Sequence, residues 1–352
     1  MTDTAKLLNR VRLRVERSEQ IEADDIEALF GVSDLPALAR LARTVRERRH
    51  GRAAYIRNAV RVEVAPHGAI AEESVSAGES APLLVLHDAG TRTLDEWVGR
   101  LREEMGRHPD AVASPSASFI DAVAECSSLG VDAVLDRLAA LLPVIPDGAG
   151  AELLDAEWRG THAPAAISAE RWIAVHRAAH RLGLKSIAAM AHGTQEHPRA
   201  ATRHLLRIRE LQEEGGGFVA FAPMAIHNRA AAAFYLAAPT AIQSLRSATI
   251  ARLVLDTVPH ILTAPALVGL EIAAVALSYG ADTVDATISA SDVLAEEFPV
   301  GNTGDLLPVV DTVTTTARRQ APLDRVRARV EEARFVPTLL DARFGTEVAV
   351  RQ

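Results

Sequence analysis

The stretch that most constrains the fold runs from Gly215 to Pro223: Gly-Gly-Gly-Phe-Val-Ala-Phe-Ala-Pro. An apolar run with no polar alternation predicts a short strand covered on both faces, as in a parallel sheet flanked by helices. Before it, Ala201, Leu205, Ile208 and Leu211 recur at gaps of four and three, which puts them on one helical face. The glycines supply the positive φ that stops such a helix. Residues 224–228 then fall at a strand's C-terminal end, where such folds keep their chemistry.

The same unit recurs along the chain. Strands are expected at 53–64, 82–87, 111–115, 143–146, 185–190, 218–222, 260–264 and 282–288. Helices are expected at 93–106, 119–128, 131–141, 168–182, 199–214, 240–256 and 266–279. This alternation predicts an α/β fold, a (β/α) TIM-type barrel, complete or incomplete. No glycine-rich dinucleotide fingerprint follows the first strand, which weighs against an open doubly wound sheet. Residues 1–50 read as a helical cap whose third segment carries Leu35, Leu38, Leu41 and Val45 at helical spacing. Residues 51–290 read as the barrel. Residues 291–352 read as a C-terminal tail packing on it, with one helix at 324–333 and a short extended end.

Composition narrows the function. Of 352 residues, 48% are hydrophobic, enough for a large core, and the net charge of -8 disfavours nucleic-acid binding. One cysteine, Cys126, excludes an internal disulfide framework and any multi-thiolate metal cage. No apolar run approaches the ~20 residues of a membrane span. Residues 1–20 are dense in Arg and Glu, unlike a secretory leader. A cytoplasmic protein without nucleic-acid or membrane partners is expected.

Three longer stretches carry a resemblance: Ile167–Gly183, His204–Phe218, and Ala251–His260 with Gly280-Ala281-Asp282 after it. Together they resemble the radical-SAM enzymes of the futalosine route to menaquinone, and aminofutalosine synthase in particular. The resemblance covers residues 25–300 and implies a radical-SAM barrel. It also implies a [4Fe–4S] cluster that binds S-adenosylmethionine, held by three cysteines in a CxxxCxxC loop after the first strand. Here that loop, residues 65–77, has no cysteine. Ser74 and Ser76 are poor substitutes, and Cys126 alone cannot compensate. The family's Gly-Gly turn after strand two reads His87-Asp88-Ala89-Gly90, and the turn after strand four survives as Gly148-Ala149-Gly150-Ala151-Glu152. Neither cluster nor cofactor is expected.

Candidate site residues follow from strand ends. His87 and Asp88 close strand two, while Glu152, His192 and His227 lie at or beyond strands four, five and six. His87, Asp88, Glu152 and His227 are the groups available for polar catalysis. Arg57, Arg61, His192, Asp285 and Thr287 are candidates for binding a nucleoside-like or carboxylated ligand. His176 and His180 have zinc-ligand spacing on one helix, but no third ligand is near in sequence, so a core pair and no metal are expected. The expected role is a cluster-less, non-radical partner or binder of pathway intermediates, paired with an active paralogue or a second copy. The alternatives are hydrolase- or lyase-type chemistry in the retained cavity, or the family's own transferase activity.

Overall fold

The computed structural model describes residues 2–66, 82–164, 166–193, 198–225, 239–289 and 321–345. Three helices precede the first strand: α1 (Asp3–Arg17), α2 (Ala23–Leu29) and α3 (Leu35–His50). α1 stops at Ser18, which takes a left-handed conformation, and Asp34 caps α3 by accepting from the Ala37 N–H. The buried face of α3 is Leu35, Leu38, Ala39, Ala42 and Arg46. The apolar stripe is therefore rotated from the expected one, and it ends on an arginine.

The strands are β1 (Ala53–Arg57), β2 (Val60–Glu63), β3 (Pro82–Leu86), β4 (Val112–Pro115), β5 (Ser186–His192), β6 (Phe218–Ala225), β7 (His260–Thr263), β8 (Thr283–Asp285), β9 (Ile288–Ser289) and β10 (Val336–Leu340). Every ladder among them is parallel. β1 and β2 are two halves of one strand, as are β8 and β9. The ladder order is β10-β1-β8-β7-β6-β5 in one sheet and β4-β3-β2-β9 in the other. The expected strand at 143–146 has only an isolated bridge, Ala113 to Val144. Pro143 and Pro146 cannot donate to a ladder. Their carbonyls still accept, from Ala113 N–H at 2.8 Å and Ile187 N–H at 2.9 Å, so this segment links β4 to β5 and completes the circuit.

Helices cover the outside: α4 (Leu94–Arg107), α5 (Ala117–Ser127), α6 (Val131–Ala139), α7 (Ala156–His162), α8 (Ala169–Arg181), α9 (Pro198–Gly215), α10 (Ala241–Val254), α11 (Pro265–Val268), α12 (Leu270–Ala276) and α13 (Ala321–Glu332). Gly269, at φ +81°, splits the expected 266–279 helix into α11 and α12. Strand residues alternate between the helix layer and the bore. Leu84, Leu86, Ala113, Ala188, Phe221 and Ile261 pack outward in the main core. Leu83, Val85, Val112, Ile145, Ile187, Ala220 and Leu262 fill the bore. Leu340, Ala342 and Phe344 join that inner cluster, so β10 and the turn after it stop the floor of the barrel.

The Gly215–Gly217 turn has two jobs. Gly216, at φ +63°, makes the left-handed stop. Gly217 makes room, because a Cβ there would lie 2.0 Å from His180 Cδ2. Gly217→Ala is expected to cost about 1–3 kcal/mol through overpacking. Gly215→Ala, with its nearest contact at 3.3 Å, should cost clearly less. Urea unfolding of the two variants checks the difference, and equal costs would remove the packing explanation.

Candidate functional site at the barrel mouth

Register assigns the upper bore. Arg61 pairs with Leu83 and Glu63 with Val85, so both share the inner face of the first strand. His87 continues the inner series Leu83, Val85, and Asp147 continues Ile145. Ala189 pairs with Ala222, and Ala191 with Met224. One wall, from strand eight through strands one, two and four, therefore carries Asp285, Thr287, Arg61, Glu63, His87 and Asp147. The opposite wall is Ala189, Ala191, Ala222 and Met224. The mouth is polar on one side and shallowly apolar on the other.

His87 does not use Asp88. Adjacent strand residues point to opposite faces, and the Asp88 carboxylate turns back to accept from the Gly90 N–H at 2.8 Å. The partner of His87 is Asp147, across the barrel wall, with Nε2 to Oδ2 at 2.7 Å. Asp147 is fixed in turn by the Ala149 N–H, 2.9 Å from Oδ1. That loop is seated by Gly148, where a Cβ would lie 2.5 Å from the Ala189 Cβ.

Glu152 follows on the same loop at φ +26° and faces Arg159 of α7, with Oε2 to Nη1 at 3.3 Å. Burial raises its pKa, and the Arg159 guanidinium opposes that shift. His204 of α9 accepts the Leu154 N–H through Nδ1 at 3.0 Å and so anchors the loop's far end.

Arg57, Asp285 and Thr287 meet inside the barrel. Arg57 Nη1 lies 3.3 Å from Asp285 Oδ2, and Asp285 Oδ1 accepts from the Thr287 hydroxyl at 2.5 Å. Arg57 is committed to the floor: Nη2 donates to the Ala342 carbonyl and the guanidinium lies over Phe344, 4.8 Å from its centroid. It is thus placed as a strut beneath the mouth. Arg61 pairs with Glu63 at 3.0 Å near solvent. His192 faces away from the bore, with Nε2 3.0 Å from the Ser244 hydroxyl of α10, and burial lowers its pKa to about 4. His227 and loop residues 67–77 lie outside the described residues.

His176 and His180 share one hydroxyl, that of Ser186, at 3.0 and 2.8 Å. They are a core pair wedged between α8 and β5. Among the described residues, the one grouping with metal-like geometry is His50, His260 and Asp282 at the barrel floor. There Asp282 is already taken: it pairs with buried Arg252, accepts the Ile261 N–H at 2.8 Å and binds His260 Nδ1 at 2.7 Å. A divalent ion would add charge beside Arg252, so this cluster reads as a floor lock. Sequence reasoning missed both Asp147 and this lock. Asp147 had a usable signal, two residues past Ile145 on the inner face.

No protein-family model matches the chain. Aminodeoxyfutalosine synthase of Thermus thermophilus is 30% identical over 308 residues, covering 78% of this chain and 82% of that protein. The chain belongs to the radical-SAM family of the futalosine pathway. Cyclic dehypoxanthine futalosine synthase of Streptomyces coelicolor is 30% identical over 66% of this chain and 57% of its own length. The radical-SAM fold is shared with methylornithine synthase, with a TM-score of 0.65 at 14% identity over 93% of this chain and 97% of that one. The hydrogenase maturase HydG from Carboxydothermus hydrogenoformans gives a TM-score of 0.66 at 12% identity, over 97% and 81%.

The family's cluster does not fit the donors of this chain. A [4Fe–4S] cluster needs thiolates, and the chain holds one cysteine. Cys126 is exposed in the last turn of α5. α5 runs back from the end of β4, so that turn lies toward the floor, away from the strands' C-terminal ends. Among the described residues no helix is long and apolar enough to cross a membrane.

Proposed function

We propose that this chain is a non-radical member of the family. It binds a futalosine-type nucleoside, or a related carboxylated ring compound, in the barrel mouth and works beside an active enzyme of the pathway. The observation that carries this reading is the missing thiolate set: one cysteine, placed at the wrong end of the barrel. The two-sided mouth supports the ligand class. A planar ring suits the wall of Ala189, Ala191 and Ala222, while hydroxyls or a carboxylate suit the wall of Arg61, His87 and Thr287.

Two measurements test this. After anaerobic reconstitution with iron and sulfide, the protein should hold no stoichiometric cluster and should not cleave S-adenosylmethionine. Titration with futalosine and aminodeoxyfutalosine should stabilise it saturably, by about 2.7 kcal/mol at a hundredfold excess over Kd. A brown, cluster-loaded protein would overturn the reading, as would stability unmoved by either nucleoside.

A further inference from the structure

The polar wall carries a pair that binding alone does not require. A carboxylate can only accept a hydrogen bond, so the 2.7 Å contact with Asp147 puts the His87 proton on Nε2. Nδ1 then carries the lone pair, and it has no partner among the described residues. The His87 side chain is 38% exposed, against 18% for Asp147, so the imidazole is the outer member. Asp147 is held by its own loop, and the loop by the close approach of Gly148 to β5. An imidazole fixed in one tautomer by an anchored carboxylate, part-exposed and with its second nitrogen unbonded among the described residues, is the geometry of a general base.

We propose that His87 activates water against the acyl carbon of an ester borne on an aromatic ring, with Asp147 as its positioning residue. Water gives its proton to Nδ1 as its oxygen bonds to the acyl carbon. The carbonyl electrons move onto oxygen and return as the bond to the aryl oxygen breaks. The aryloxide leaves and takes the proton back from Nδ1, giving a phenol and a carboxylic acid with no oxidant or reductant. The alanine wall faces the ring, and the polar wall faces the acyl group. The inference rests on the mouth accepting a ring-bearing ligand.

The probe is p-nitrophenyl acetate with the full chain. Turnover should saturate, and His87→Ala should lower kcat/KM about 100-fold. Free imidazole should restore part of that loss, since it can take the space the side chain leaves beside Asp147. Asp147→Asn should lower kcat and leave KM unchanged. His108→Ala, at the C-terminal end of α4, should leave the rate unchanged and serves as the control for a histidine away from the mouth. Equal rates in wild type and His87→Ala would overturn the proposal. A loss that imidazole does not restore, in a variant with unchanged thermal stability, would overturn it too. Nucleoside stabilisation and esterase turnover measured on the same wild-type protein keep the two readings apart. Stabilisation without esterase activity sinks only the catalytic one, and esterase activity without stabilisation sinks only the nucleoside one.

Discussion

Asp282→Asn is expected to lower the unfolding free energy by about 3–5 kcal/mol, the usual cost of removing one partner from a buried ion pair. Asp282 and Arg252 are both fully buried. Arg252 also donates to the carbonyls of Gly280, Val258 and Pro259, and Arg46 lies in the same layer, bonded to Ala281, Gly51 and Ala53. Without the carboxylate, two buried guanidinium groups share the floor with no anion between them. Burial alone would raise the Asp282 pKa, but Arg252, His260 and His50 hold it far below the ordinary carboxylate range. Its contribution is therefore present above the ordinary carboxylate value of 3.8 and is lost as pH falls toward the depressed one. Urea unfolding of the variant measures the loss. The double change with Arg252→Met should cost less than Asp282→Asn alone. A loss under 1 kcal/mol in the single variant would show that the floor does not depend on this pair.

A second large effect is acid unfolding between about pH 6.5 and 4. Burial holds His50, His180 and His192 neutral down to about 4, and His204 to about 3, against an ordinary 6.5. The sign follows from proton counting. Between the two values the unfolded chain binds protons that the folded chain refuses, so stability is full above 6.5 and falls with falling pH. One such histidine is worth roughly 1.4 kcal/mol per pH unit. Four acting together are comparable with the usual stability of a domain, about 5–15 kcal/mol, before most carboxylates titrate. Tryptophan fluorescence against pH should show one cooperative transition inside this window. A midpoint below 4 would contradict it.

Much of the architecture was legible because it rests on local rules. The Phe218–Ala222 run is a covered strand, and Ser168 caps α8 through the Arg171 N–H as its position suggests. What failed needed three dimensions. Pro143 and Pro146 carry an extended segment that contributes only carbonyls. The helix α7 lies in a stretch with no clear apolar period. The strand-end position of His192 alone points it to the cavity. Yet Ile187 faces the bore, so alternation already sends residue 192 outward to Ser244. His87 sat beside an aspartate in sequence and found a different one across the wall. Arg46 was readable in hindsight, eight residues past Leu38 and four past Ala42 on the buried face of α3.

The stopper formed by β10 ties the order of synthesis to the order of folding. The lower half of the first strand pairs on one side with β8 and on the other with β10, both translated long after it. On the ribosome the cap helices and early βα units can collapse as they emerge. The first strand must wait for partners encoded far downstream, and such non-local pairings are slow to close. Nascent chains halted before residue 336 would carry an open-ended bore lined by Leu83, Val112 and Ile187, a greasy surface suited to capture by chaperones.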